Sequence, residues 1–194
     1  MIYLSFELDK TNYYVLPTKL EDLEDMKVIR DQCLEYIHDN RSYPYVDMVS
    51  WFLTKNIRYL SVFSNTHDNM IGYFRLSDFK NNSCYVGMDL DENYRGKGIA
   101  VAIYNAVIDH LNNFGITDFY LRVLQSNVHA VKLYKSLGFE ILSNRENVTK
   151  RNGKTIGDFL MLLKKSKQKI KISDDKKQRI SKIIKTLNVR TKEI

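Results

Sequence analysis

Two glycines and two cations stand together in the segment Arg95-Gly96-Lys97-Gly98, and this residue combination is suited to binding an anion. The segment lies between residues 84–90, which have the composition of a strand, and a stretch with apolar residues at helical spacing. The first amides of a helix have no internal partner and carry the positive end of the helix dipole. Glycine lets the backbone approach an anion closely. The segment predicts a phosphate site, with an ordinary turn as the alternative.

The segment can be compared with three phosphate-binding motifs. The chain has no P-loop pattern Gly-x-x-x-x-Gly-Lys-Ser/Thr, and Val101 occupies the third glycine position of the dinucleotide pattern Gly-x-Gly-x-x-Gly. What is left is Arg-x-x-Gly-x-Ala, which runs from Arg95 to Ala100. This pattern resembles the pyrophosphate-binding motif of the GCN5-related N-acetyltransferase (GNAT) superfamily, whose members use acetyl-CoA as donor.

A second block, residues 121–139, resembles another motif of the same superfamily. A strand leads to Asn127, and the helix that follows ends in Leu133-Tyr134-Lys135-Ser136-Leu137-Gly138-Phe139, the pattern Leu-Tyr-x-x-Leu-Gly-Phe. The two blocks have the order and spacing of the family. The chain is therefore identified as a member, with a resemblance that is motif-specific over 84–139 and topological over about 13–163.

The resemblance implies an α/β (α+β) GNAT fold, with a mixed central sheet splayed between strands 4 and 5 and helices on both faces. The sequence pattern agrees with that expectation. We predict strands at 2–8, 12–16, 59–64, 70–76, 84–90, 117–124, 139–143 and 155–163. We predict helices from a capping box at Thr18 to about residues 38–40, near 46–53, at 97–113 and at 127–137.

The resemblance also assigns roles in binding acetyl-CoA, the expected co-substrate, and no metal site is expected. Backbone groups of Met88, Asp89 and Leu90 would pair with the pantetheine arm as an added strand. Asn127 would bind the cofactor arm, serve as a helix N-cap, or do both. Tyr134 would be the general acid beside the CoA sulfur, although a tyrosine outside such a motif is usually a packing residue. The pyrophosphate would be held by the segment Arg95, Gly96, Lys97, Gly98, Ile99, Ala100 and Val101.

The motifs do not identify the general base. Relatives use glutamates on strand 4 or strand 5, but Cys84 and Arg122 occupy those positions here. An alkylammonium with a pKa near 10.4 is almost fully protonated at pH 7, so the missing carboxylates favour a less basic acceptor amine.

The acceptor site is expected between the first two helices and the strands beneath them. We predict direct transfer to a small-molecule amine. Arginine and aromatic side chains suit phosphates and sugars, so a nucleotide-linked amino sugar is one candidate. The candidate substrate-binding residues are Arg30, Asp39, Arg41, Trp51 and Arg75. The alternatives are acetylation of a protein N-terminus, a lysine or a polyamine, and a non-catalytic CoA-binding sensor or interaction module.

The charge of the 194-residue chain is unevenly distributed. Residues 164–194 hold twelve Lys and Arg against three acidic residues, whereas residues 1–163 hold 18 against 20. We predict an acetyltransferase domain at 1–165 and a basic helical tail at 166–194 that packs on the domain or on a second subunit of a homodimer. Nucleic acid is not an expected partner, because no aromatic residue interleaves the lysines. Without a membrane-spanning run or a signal-peptide pattern, the expected location is cytoplasmic.

Overall fold

The computed structural model describes residues 3–54, 56–65, 67–151 and 154–166. Its strands are β1 (Leu4–Leu8), β2 (Thr11–Pro17), β3 (Arg58–Ser64), β4 (His67–Lys80), β5 (Ser83–Leu90), β6 (Asp118–Leu124), β7 (Glu140–Arg151) and β8 (Lys154–Lys164). Its α-helices are α1 (Leu23–Asp31), α2 (Tyr45–Thr54), α3 (Ile99–Asn113) and α4 (Val128–Ser136). Short 3₁₀ turns lie at Leu20–Asp22 and Glu92–Tyr94.

The strands form one mixed sheet in the order β1-β2-β3-β4-β5-β6-β8-β7. Every neighbouring pair is antiparallel except β5 and β6, which are parallel. The β5–β6 ladder runs only from Ser83–Asp118 to Tyr85–Tyr120, after which the two strands separate. The predicted splay is thus present. Its strands are numbered 5 and 6 because the N-terminal hairpin contributes two strands.

Helices cover both faces of the sheet, and the alternation of side chains along β4 shows why. Phe74 and Leu76 point into the main core, where Phe74 meets Tyr104 of α3 edge-to-face with ring centroids 4.9 Å apart. Tyr73 points to the opposite face and packs in a smaller core with Met26 of α1 and with α2. We call this second face, which also carries Arg75, the loop-side face, because the α1–α2 loop (residues 32–44) covers it.

The first helix differs from the expectation at both ends. The predicted Thr18 cap is wrong: Thr18 accepts a hydrogen bond from Ser61 instead, and the Asp22 carboxylate accepts from the Lys19 amide at 2.8 Å. The helix ends at Asp31 rather than near 38–40. The chain is diverted here because Gln32 binds the turn after β5, donating to Asp91 and accepting from the Glu92 amide.

The predicted tail at 166–194 lies outside the described residues from position 167 onward. In the described part of the chain, no helix combines the length and the apolar character needed to span a membrane.

Candidate active site

The separation of β5 and β6 opens a cavity of about 990 Å³, which we call the splay cavity. Its wall is built from parts of β4, β5, β6, α3 and α4 and from the α1–α2 loop. Among the predicted residues, the wall includes Arg30, Asp39, Arg75, Met88, Asp89, Leu90, Arg95, Gly96, Gly98, Ala100, Val101, Asn127 and Tyr134. The fold therefore brings the predicted donor residues and part of the predicted acceptor residues to one cavity.

The N-terminus of α3 forms a backbone cradle at one end of this cavity. Gly96 and Gly98 have φ angles of 74° and 75°, a left-handed conformation that favours glycine. A Cβ added at either position would meet no atom within 4 Å, so the space over the backbone is open. None of the amides from Gly96 to Val101 donates a hydrogen bond to a described residue. Unpaired amides and open space fit a diphosphate group.

The two cations of the segment are directed away from the cradle. Arg95 donates from Nε to the Leu90 carbonyl at 2.9 Å and from Nη2 to the Cys33 sulfur at 3.3 Å, which ties the end of β5 to the start of the α1–α2 loop. Lys97 lies with Nζ 5.7 Å from the centroid of the Tyr94 ring and lines a separate cleft beside α1. The Ile99 side chain is buried in the core. The side chains of Lys97 and Ile99 therefore do not take part in the predicted pyrophosphate binding, to which these residues can contribute only their backbone N–H groups.

Asn127 combines the two roles that the sequence left open. Its side-chain oxygen accepts from the Ala130 amide at 3.1 Å, which caps α4. Its Nδ2 donates to the Tyr36 carbonyl at 3.5 Å, and the residue lines the splay cavity. The cap therefore holds the side chain in the cavity wall, where it connects α4 to the α1–α2 loop.

Tyr134 lies on α4 with 9% of its surface exposed. Its phenol accepts a hydrogen bond from the Tyr104 hydroxyl at 3.3 Å, and both rings belong to an aromatic cluster with Phe139. Burial raises the pKa of Tyr134 above its usual value, so the phenol stays protonated at neutral pH. Because Tyr104 donates to it, Tyr134 retains its own proton for donation into the cavity.

No carboxylate stands at the two positions where relatives carry a basic glutamate. Cys84 is buried in the core, and burial raises its thiol pKa to about 12. Arg122 lies on β6 with Nη1 3.5 Å from Asp158 Oδ2. Cys33 lines the splay cavity, but its thiol pKa is also raised to about 12, first by burial and then by the charge of Asp89.

Four of the five predicted acceptor residues, Arg30, Asp39, Arg41 and Trp51, cluster around the α1–α2 loop, where Arg30 belongs to α1 and Trp51 to α2. Arg30 donates to the backbone carbonyls of Asp39 and Arg41 at 2.8 and 2.7 Å. The Arg41 guanidinium binds the Asp39 carboxylate at 2.9 Å and, with the Tyr43 hydroxyl, lowers the pKa of that carboxyl. Trp51 packs edge-to-face on Tyr43 with ring centroids 4.3 Å apart. Arg41 and Trp51 support the loop and are not in the cavity wall.

Desolvation opposes the charge of Arg75, but the nearby Asp89 carboxylate favours the charged guanidinium and raises its pKa. Arg75 differs from Arg30, Arg41 and Arg95 in making no hydrogen bond. A Cβ built on Gly87, its partner across β4 and β5, would lie 2.9 Å from Nη2, so the guanidinium covers the Gly87 backbone. It makes no hydrogen bond or ion pair with any described residue. The nearby Asp89 carboxylate instead accepts from the buried hydroxyl of Tyr73. A cation is therefore available in the wall of the splay cavity.

A histidine in the wall of the splay cavity is paired with a buried carboxylate, a contact that the sequence did not predict. His38 Nε2 lies 3.0 Å from Asp158 Oδ2, and the Arg145 guanidinium binds the same carboxylate through Nε and Nη2 at 2.9 and 2.6 Å. Asp158 has no exposed surface. The 120 positions between His38 and Asp158 explain why sequence spacing gave no signal, although the sequence shows a carboxylate directly before the apolar run at 159–163.

The model of the Acetyltransferase (GNAT) family matches residues 23–139, which contain both motifs and the splayed strands. The chain belongs to the GNAT acetyltransferase family. The family and the fold class predicted from the two motifs are confirmed.

Curated relatives of this GNAT chain act on different amines. It is 35% identical over 75 residues to the spermine/spermidine N(1)-acetyltransferase of Bacillus subtilis, a match that covers 37% of this chain and 49% of the relative. It is 30% identical over 90 residues to the [ribosomal protein bS18]-alanine N-acetyltransferase of Haemophilus ducreyi, covering 46% and 62%. The chain thus spans about half to three-fifths of the length of these relatives.

Solved structures confirm the GNAT fold over most of the chain. A putative phosphinothricin N-acetyltransferase superposes with a TM-score of 0.71 at 18% identity, covering 79% of this chain and 99% of that one. A putative acetyltransferase from Salmonella typhimurium, solved with its cofactor acetyl-CoA, gives 0.68 at 15% identity and covers 83% and 98%. At these identities the likeness concerns the fold.

Proposed function

We propose that the chain is an acetyl-CoA-dependent N-acetyltransferase that transfers the acetyl group directly to a primary amine of a small molecule bearing an anionic group. One observation carries the proposal. The same splay cavity is lined by the open backbone cradle at Gly96 and Gly98, the protonated phenol of Tyr134 and the unpaired guanidinium of Arg75.

The donor half of the proposal depends on the backbone. The unpaired amides at the start of α3 hold the diphosphate of acetyl-CoA, and the open edge of β5 after Tyr85 is available to the pantetheine arm. Because the arm would then run along Met88, Asp89 and Leu90, its thioester end reaches the part of the cavity that Tyr134 lines. Bound acetyl-CoA supplies an acyl carbon open to attack by an amine.

Transfer is direct because the cavity offers no competent thiolate. A thiol whose pKa is about 12, as for Cys33, is almost fully protonated at neutral pH and is a poor nucleophile. The acceptor amine itself attacks the thioester carbonyl, and the carbon–sulfur bond breaks. Tyr134 donates its proton to the departing thiolate, a role that its raised pKa and its free hydroxyl proton permit.

The acceptor half of the proposal depends on charge. Three carboxylates near the loop-side face have side-chain partners: Asp39 binds Arg41, Asp89 accepts from Tyr73, and Asp158 binds Arg145. Arg75 has no such partner, so an anionic group on the acceptor would bind it, as a carboxylate or a phosphate. A polyamine would bring only further positive charge. The nucleotide-linked amino sugar predicted from the sequence is one acceptor of this class, but neither curated relative named above acts on a sugar.

The proposal is tested by measuring thiol release from acetyl-CoA with matched amines. We expect glucosamine 6-phosphate to give a higher kcat/KM than glucosamine, or γ-aminobutyrate a higher value than n-butylamine, because Arg75 binds the added anion. A nucleotide-linked amino sugar extends the phosphate arm of the panel. Spermidine and a peptide with an N-terminal alanine represent the amines on which the two relatives act.

The Arg75→Gln variant tests whether the guanidinium causes any preference for the anionic amine over its uncharged partner. It should raise KM for the anionic amine by about tenfold or more, since a charge-assisted hydrogen bond contributes roughly 1.5–3 kcal/mol, and it should leave the uncharged partner unaffected. Preference for spermidine or for the peptide would show that the anionic class is wrong. CoA binding without turnover of any amine would favour the sensor alternative.

A further inference from the structure

The catalytic groups proposed above provide an acid but no base, and the ammonium form of an amine must lose a proton before it can attack. His38 lies in the wall of the splay cavity, and behind it the fully buried Asp158 carboxylate is 3.0 Å from its Nε2. His38 belongs to the α1–α2 loop and Asp158 to β8, at the centre of a cluster with Arg145 of β7 and Arg122 of β6.

The hydrogen bond fixes the tautomer of His38. Asp158 is fully buried, and although burial opposes its charged form, the bonds from Arg145 and His38 lower the pKa of its carboxyl below the usual value. An ionised carboxylate can only accept, so His38 Nε2 must carry the proton that it donates. In the neutral ring, Nδ1 therefore holds the lone pair.

The surroundings also keep the ring neutral. Burial lowers the pKa of His38 below 6.5; Asp158 opposes this shift, while Arg145 and Arg122 reinforce it. These three charged side chains act on the ring from β8, β7 and β6, and the acids on its own loop are Glu35 and Asp39. At pH 7 the imidazole is a free base.

His38 and Tyr134 reach the splay from opposite faces of the sheet. The β6–β8 register places Asp158 opposite Leu124, two residues along from Arg122, so these side chains share the loop-side face. Tyr134 contacts Tyr104, which packs on Phe74 on the other face. A thioester lying in the gap between β5 and β6 would have the phenol on one side and the imidazole on the other.

We propose that His38 is the general base of this enzyme, taking the proton of the acceptor ammonium on Nδ1, and that Asp158 is its positioning residue. This inference rests on the acetyltransfer function proposed above. The ammonium loses two protons in becoming an amide. His38 takes the first proton and releases it to solvent. Tyr134 protonates the thiolate and regains a proton from the second one that the nitrogen loses, so one proton is released per turnover.

The test is the pH dependence of kcat/KM for His38→Gln, measured with the panel amine that gives the highest kcat/KM. In the natural protein kcat/KM should rise with pH and reach its plateau below the range usual for a histidine, because burial lowers the pKa of His38 and the plateau begins once the imidazole is free. In His38→Gln, where the amide can still donate to Asp158 but cannot take a proton, kcat/KM at pH 7 should fall by about 10²-fold. In this variant log(kcat/KM) should rise with pH with unit slope up to the pKa of the amine.

Two further variants make the test decisive. Asp158→Asn should also lose the plateau, because an asparagine amide can donate to Nε2 and move the ring proton to Nδ1. His129→Gln replaces the other histidine of the cavity wall. A plateau that survives in His38→Gln, or is lost in His129→Gln instead, overturns the proposal.

Calorimetric binding of CoA separates the two hypotheses. Normal CoA affinity in His38→Gln with a lost plateau supports the base. Normal affinity and an unchanged profile refute the base alone. Absence of CoA binding and turnover in the natural protein would refute the acetyltransferase function itself.

Discussion

The Tyr104 hydroxyl donates a 3.3 Å hydrogen bond to the phenol of Tyr134, and both side chains are buried. Burial raises the pKa of each phenol, and the shared bond adds to the rise for Tyr104 but opposes it for Tyr134. Both phenols line the cavity, but Tyr134 is the more acidic of the pair and the one whose own proton is not used in the shared bond. The pair distinguishes an acid from its support among thirteen tyrosines.

We expect Tyr134→Phe to lower kcat by about 10²–10³-fold, because the thiolate would leave without a proton donor. The affinity for CoA should change little, since the cradle and the β5 edge are untouched. Steady-state kinetics and calorimetry measure the two quantities. The matched variant Tyr104→Phe removes the support only and should lower kcat by a smaller factor. Equal losses in both variants would mean that packing, not proton donation, explains the effect.

We expect Gly98→Ala to weaken CoA binding, because the new methyl group would occupy the open space over the cradle. Gly115→Ala is the matched control, since Gly115 also has a positive φ with no atom near a built Cβ, but lies after α3. Both variants should lose about 1–2 kcal/mol of stability from the left-handed backbone conformation. Thermal unfolding and calorimetry separate the effects. Weaker CoA binding in both variants would assign the loss to stability rather than to the cradle.

We expect Asp158→Asn to destabilise the fold by about 1–3 kcal/mol at pH 7, because the fully buried side chain loses the charge that its hydrogen bonds with Arg145 and His38 stabilise. The pKa of Asp158 is lower in the folded protein than in the unfolded chain. Its contribution is thus complete above the unfolded value near 3.9 and is lost as the pH falls through the folded value. Denaturant unfolding between pH 7 and 3 should show the two proteins converging at low pH. A constant difference would contradict this assignment.

We expect a chain truncated after Ser166 to fold and to retain acetyl transfer. The truncated protein keeps the contacts that anchor the end of β8: the Lys165 amide donates to the Thr117 carbonyl at 2.8 Å, and Asn112 donates to the Ser166 carbonyl at 3.2 Å. The basic residues that follow are predicted to serve association. Thiol release and thermal unfolding of the truncated and complete chains provide the check. A chain that fails to fold or to turn over would show that residues 167–194 are structural.

The sequence determined the parts of this protein that depend on local pattern. The apolar pattern at 70–76 predicted a strand, and the glycines at 96 and 98 predicted a tight turn before a helix, which the structure forms with positive φ angles. Such features arise from backbone geometry over a few residues, so they can be read without knowing the neighbours in space. For the same reason the two motifs were sufficient to identify the family.

Only the tertiary structure decided which charges are available for binding and catalysis. Arg95, Arg30 and Arg75 look alike in the sequence, yet the first two bind backbone carbonyls and the third remains free in the cavity. His38 likewise acquires a role from Asp158, 120 residues away, through the register of β8 and the path of a loop. The partner of a long polar side chain is chosen by whichever groups the folded sheet brings within hydrogen-bond distance, and local sequence does not encode that choice.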